Sequence, residues 1–277
     1  VGALAYNLHR LVDLSLRPFD ALVRALGAQA GGMVALAVLS ILTGVVMLYV
    51  VRFTTPQAWV GIARNRMTSA VYETRLFLNA PGRLLIAQGR LLCWSVAYVA
   101  TMIPAFVVVS VPLGLLYLHM DARFGQMPLP MGEPVLLEAR LAPGQDLNQV
   151  RLELPAAVRS TAPPVRGEAM VVWRLQVGQP GAHELGVVNA GHTETKRLLA
   201  GPHDAEDRPS QVRAAGIAVS WSDGFEPPLA SASGFTSLTI LHPTSEETWW
   251  GMPWWLFWLL AATVAALALR GPLGVKI

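Results

Sequence analysis

From Gly31 to Val51 the sequence reads GGMVALAVLSILTGVVMLYVV, 21 residues without a charge. A helix needs about 20 predominantly apolar residues to cross the roughly 30 Å hydrocarbon core of a bilayer. Inside lipid, a backbone satisfies its own polar groups only as a helix or a closed barrel. Two further runs share this character. Cys93 to His119 carries no acid, lysine or arginine, and neither does Trp249 to Leu269. Composition agrees, since only 14% of residues are charged against about a quarter in ordinary soluble chains. The expected fold class is an integral membrane protein with three transmembrane helices. Val1 to Ala28 carries charges throughout, so no cleavable signal is expected there.

Charge bias sets the expected orientation. Arg52 to Leu92, between the first two runs, holds six arginines against Glu73 alone. The segment after Leu269 holds Arg270 and Lys276 and no acid. Both read as cytoplasmic. Met120 to Thr248 holds fifteen acids and ten bases, a net of −5, and reads as external. The basic balance of the chain is therefore a topology signal and predicts no sequence-specific nucleic-acid binding. Trp249, Trp250, Trp254, Trp255 and Trp258 crowd the outer end of the third run. They fit an interfacial belt, where the ring is apolar and the N–H is wet. The other reading is an aromatic ligand platform.

These signals divide the chain. Residues 1–30 form an amphipathic interfacial helix, with Leu4, Leu8, Leu11 and Val12 at helical spacing. Arg10, Asp13, Arg17, Asp20 and Arg24 recur every three or four residues, a spacing that allows ion pairs along the helix. Pro18 bends it, and GAQAGG ends it. Residues 31–52 are the first span. Residues 53–92 are a cytoplasmic helical hairpin, with Thr54 or Thr55 as cap, Pro56 in the first turn and Asn79–Gly82 as its bend. Residues 93–119 are the second span. Its Pro104 and Pro112 each free a carbonyl, as a tolerated kink or as a bend that opens a cavity. Residues 120–248 are a periplasmic β-sandwich, residues 249–269 the third span, and residues 270–277 a cytoplasmic tail.

Short alternating runs such as EPVLLEARL and GEAMVVWRLQV, split by Pro and Gly, place about seven strands between Glu133 and Leu241. An immunoglobulin-like architecture is expected, with Trp173 in its core. Cys93 excludes an internal disulfide framework and reads as a small buried hydrophobe. No nucleotide-binding, hydrolase or metalloprotease motif occurs, no nucleophile–base pair stands out, and no enzymatic role is expected. No cofactor is implied. His183, His192, His203 and His242 read as solvated loop residues; His192 with Glu194 on one strand face would be the alternative, a metal site. The spans lack acids, which argues against a proton or cation relay.

One order of parts remains. RPFDALVRALG precedes the first span, VVRFTTPQ closes it, RNRM lies in the hairpin, and AQGRLLCWSVAYVATMIPAFVVVSVPLGLLYLH enters the second span. LALRGPLGVKI follows the third. This order resembles the YidC/Oxa/Alb insertase superfamily, which includes archaeal insertase-like proteins and the third subunit of the ER membrane protein complex. The resemblance implies a cytoplasm-facing polar groove whose arginine meets polar parts of an entering substrate. By position that arginine is Arg52, with Thr54, Thr55 and Gln57 extending the lining and Arg64 and Arg66 attracting ribosome or substrate. Three spans instead of five, a short hairpin and the inserted β-domain depart from the bacterial pattern. Without the resemblance, Arg52 reads as a positive-inside anchor that snorkels to the interface.

The sequence thus carries two expectations. One is an insertase-like factor of the bacterial inner membrane, acting on membrane-protein clients within the lipid bilayer. The other is an accessory subunit that clamps a larger respiratory or photosynthetic complex through its helices and periplasmic domain.

Overall fold

The structure is a computed structural model that describes residues 2–202, 207–215, 224–245, 248–249 and 251–274. It divides into two compact units, Val1–Ala35 with Leu115–Trp254, and Leu36–Gly114 with Trp255–Ile277.

Helix α1 spans Gly2–Leu26 with Pro18 inside it, and α2 spans Ala28–Thr54. The expected break over GAQAGG shrinks to Gly27, whose φ of 85° is a left-handed conformation that glycine adopts without steric cost. The following AQAGG is already helical. Helix α2 runs past Arg52 to Thr54, so neither threonine caps the next helix. Pro56 holds the cap position of α3, Gln57–Leu76, with no side-chain cap bond. A turn then leads to α4, Pro81–Met120, which starts on a proline because the first helical turn needs no donor there. At 1.5 Å per residue, α4 is roughly 60 Å long, twice a hydrocarbon core. A π-helical turn, Asp121–Gly125, follows it.

Among the described residues, two stretches are long and apolar enough to cross a membrane: Ala30–Thr54 and Pro81–Gly125. The third apolar helix, α5, covers Trp254–Leu269, 16 residues in place of the expected 21. A β-pair, β10 (Thr248–Trp249) with β11 (Met252–Pro253), overlaps the start of the expected span, and Pro253 sets the helix boundary.

Glycine lets α2 and α5 approach closely. A Cβ at Gly44 would run into the Ala262 carbonyl, and the Trp258 indole N–H lies 3.4 Å from the Thr43 hydroxyl. The α3–α4 hairpin is zipped by Arg90 to Glu73 at 3.1 Å, the Ser95 hydroxyl to Met67 sulfur at 3.4 Å, and Arg66 over Trp94. Cys93 is exposed on α4, not buried within the protein as its apolar run suggested.

The β-region alternates as its sequence does. In β1 (Pro134–Leu141), Val135, Leu137, Ala139 and Leu141 are buried while their neighbours are not. One antiparallel sheet has the order β3 (Val158–Ser160), β5 (Met170–Val177), β1, β9 (Phe235–Ile240) and β8 (Val212–Ala214), with β4 (Val165–Arg166) also on β5. A second has β2 (Arg151–Glu153), β6 (Gly181–Asn189) and β7 (His192–Ala200). Side chains from both sheets meet in one apolar cluster, where Leu137 and Trp173 are cross-strand partners and Leu185, Val187 and Leu198 come from the second sheet. Full burial of each large side chain contributes about 1.5–3 kcal/mol.

Candidate functional site

The residues expected to line a groove do not share one environment. Arg52 is exposed, and its Nη1 donates to the Leu273 carbonyl at 2.9 Å, in the turn after α5. A cation beside terminal helical carbonyls complements their partial negative charge. Thr54 donates back to Val50 within α2 at 2.6 Å. Thr55 is 4% exposed and its hydroxyl has no hydrogen-bond partner. Of Gln57 only the backbone is described, at the start of α3. Arg64 and Arg66 are exposed on α3. Of the five tryptophans, Trp254 and Trp258 are buried, at 5% and 6% exposure, and Trp255 is exposed. Trp254 packs on Tyr117, with ring centroids 5.3 Å apart. These two indoles are covered by the protein itself. Trp250 and the Trp249 side chain lie outside the described residues.

A second site was not expected. The most buried face of α1 is partly polar: His9 and Asp20 are 1% and 5% exposed, whereas Leu4, Leu11 and Leu14 are 59%, 63% and 56% exposed. The helix turns polar groups toward its own unit and leaves a leucine face outside. Arg123, in the π-helical turn, donates to Asp13 at 2.7 Å and to both oxygens of Asp20 at 3.1 Å. Arg208 closes the other side of Asp20. The expected pairs along α1 are thus replaced by pairs to residues about a hundred or more positions away, because a half-buried carboxylate gains more from a fixed guanidinium than from a solvated neighbour on its own helix. Burial, and then neighbouring Arg123, bring Arg208 down to about 10, which leaves it a cation at neutral pH.

His9 Nδ1 and His119 Nε2 are 3.2 Å apart, and Phe225 stands edge-on to both rings. A neutral imidazole has one donor and one acceptor. When His9 donates, the His119 proton sits on Nδ1, which is 4.0 Å from Asp13 and has no hydrogen-bond partner. These groups border a cavity of about 210 Å³, also lined by Tyr6, Arg10, Arg17, Arg197 and Glu226.

Strand β7 supplies the ionic interior next to it. Lys196 is fully buried, ion-paired to Glu226 and donating to the Ser210 carbonyl at 2.8 Å. Glu194 pairs with Arg213 at 2.9 Å and accepts the Ala230 N–H at 2.8 Å. That occupies the carboxylate which a metal with His192 would have needed, and His192 itself is exposed. Among the described residues no three ligating side chains cluster. His242 is buried, not solvated, while half-buried His183 bonds to the Gln179 carbonyl at 2.8 Å. His203 lies outside the described residues.

No family model matches this chain, and neither does any curated protein or solved structure.

The cavity was hard to foresee. Its one sequence signal was the row of charges on α1, and their partners lie far along the chain.

Proposed function

We propose that this chain is a non-enzymatic assembly factor of the bacterial inner membrane, insertase-like in its order of parts, that holds other membrane proteins against α4. Three spans are assumed, with α5 as the third. The inserted domain is taken as an immunoglobulin-like sandwich, supported by two sheets over one core with Trp173 inside. The observation that carries the reading is the contrast between two apolar helices. In the most apolar window of α2, 39% is buried, and in that of α4 only 11%. Helix α4 therefore offers an apolar surface far longer than a span needs. It adjoins exposed basic side chains, Arg64 and Arg66, on the partner arm of the hairpin. A client helix could lie along α4 while basic groups meet the ribosome or the client's flanking charges. No covalent step and no cofactor are needed.

The engagement of Arg52 by Leu273, and of Thr54 by Val50, favours a second reading. In it Arg52 fastens the turn after α5, and the chain is a permanent clamp in a larger complex. One experiment separates the two. A photo-crosslinking residue at exposed Val99 or Ile103 is compared with one at exposed Leu42 on α2. The assembly factor predicts adducts with several newly made membrane proteins at α4, fading in a chase. A single stable adduct of fixed stoichiometry supports the clamp. Lipid adducts alone at all three positions would defeat both.

A further inference from the structure

Among the described residues, the charges around the α1 cavity pair off except for two. Asp13 and Asp20 are taken by Arg123 and Arg208, Asp207 by Arg197, and Glu226 by Lys196. Arg10 and Arg17 line the same cavity and, among the described residues, form no ion pair or hydrogen bond. Seven residues apart, they stand on one side of α1, two turns from each other. His9 and His119, both buried, line the same cavity, and among the described residues His119 Nδ1 has no hydrogen-bond partner.

We infer that this cavity binds a phosphate group, held by the guanidinium groups of Arg10 and Arg17. Two uncompensated cations beside a satisfied ionic network select an anion. Each guanidinium offers a planar fork of donors that matches two oxygens. The two oxygens of a carboxylate lie in one plane and suit one fork, whereas the tetrahedral phosphorus can turn different oxygens to the two arginines, one to each in a diester and more in a free phosphate. The volume, about 210 Å³, is below the roughly 300–1,000 Å³ of sites for drug-sized ligands and suits a headgroup or a small ion. Tyr6 and Phe225 supply an apolar side. Leu4, Leu11 and Leu14 are exposed on another face of the helix, the arrangement of a helix lying in the membrane interface. There Arg10 and Arg17 would sit at the level of lipid phosphates. A free phosphate ion offers the same chemistry, so the test must separate the two sources.

The full-length protein in a neutral detergent is titrated with phosphatidylglycerol, with phosphatidylcholine as the uncharged control. A parallel arm uses inorganic phosphate against chloride at equal ionic strength. Bound species are counted by native mass spectrometry. Saturable binding of phosphatidylglycerol is expected, weakened about tenfold or more in Arg10→Gln/Arg17→Gln, as for loss of charged hydrogen bonds. Arg10→Lys/Arg17→Lys should recover part of it, keeping charge but losing the forks. Arg64→Gln/Arg66→Gln, which removes two exposed cations elsewhere, should bind as the parent does. Saturable binding of inorganic phosphate with the same dependence, and none of the lipid, would assign the site to the free ion. If neither probe saturates, or both glutamine pairs weaken binding equally, the cavity is not a phosphate site. All substituted arginines are exposed, so the folded state persists in each variant, as circular dichroism would verify.

Discussion

His242 shows how much one enclosed side chain can do. It is 4% exposed. Burial, and then nearby Lys196, lower its pKa to about 4, with the Ile240 backbone and Glu226 offsetting only part. An unfolded histidine takes a proton near pH 6.5. Between those values the unfolded chain binds more protons than the fold, so stability falls as pH drops from 6.5 to 4. It is complete above 6.5, and the full loss is roughly 3 kcal/mol. Thermal unfolding in detergent should therefore show a midpoint that declines over this window, and His242→Gln should flatten the decline. An equal slope in parent and variant would refute the assignment. Histidine spacing in the sequence carried none of this. Lys196 and His242 are 46 positions apart, on or next to strands of different sheets, and the packing of one sheet on the other brings their surroundings together. Arg52 is the milder case: its position at the end of a span was legible, but its acceptor, Leu273, lies 221 residues away.

Among the elements, helices followed the sequence where run length decided and departed where single residues did. The charge-free runs around α2 and α4 could only be helices in lipid. Their ends moved because Gly27 interrupts the helix for one residue and Pro253 delays α5. Strands β1 and β5 were readable because alternation of buried and exposed positions is their physical cause. The pairing order was not, since it depends on contacts between distant segments. Two glycines test the helix account. At Gly44 a side chain would strike the Ala262 backbone, while at Gly114 nothing lies within 4 Å. Gly44→Leu should then destabilise the α2–α5 pair by about 1–3 kcal/mol, as overpacking does. Gly114→Leu should leave the unfolding midpoint within experimental error of the parent or raise it slightly, since leucine favours a helix. Equal destabilisation by both would mean that α2 and α5 do not meet at Gly44.

For the whole molecule, the proposed topology threads the membrane, with the basic hairpin on one side and the β-domain on the other. The +5 balance of Arg52–Leu92 and the −5 balance of Met120–Thr248 support this topology. It underlies the proposed role, since a client must reach α4 from the side where the hairpin meets newly made protein. It also sets where the phosphate cavity would lie, because α1 shares a unit with the β-domain. The most direct measurement labels single cysteines in intact cells with a membrane-impermeant thiol reagent, in a Cys93→Ser background. Ser69 on α3 and Ser231 before β9 are both exposed and suit the purpose. Labelling of Ser231→Cys before lysis, with Ser69→Cys labelled only after it, is the predicted result. Labelling of Ser69→Cys from outside, or of both positions before lysis, would contradict the account.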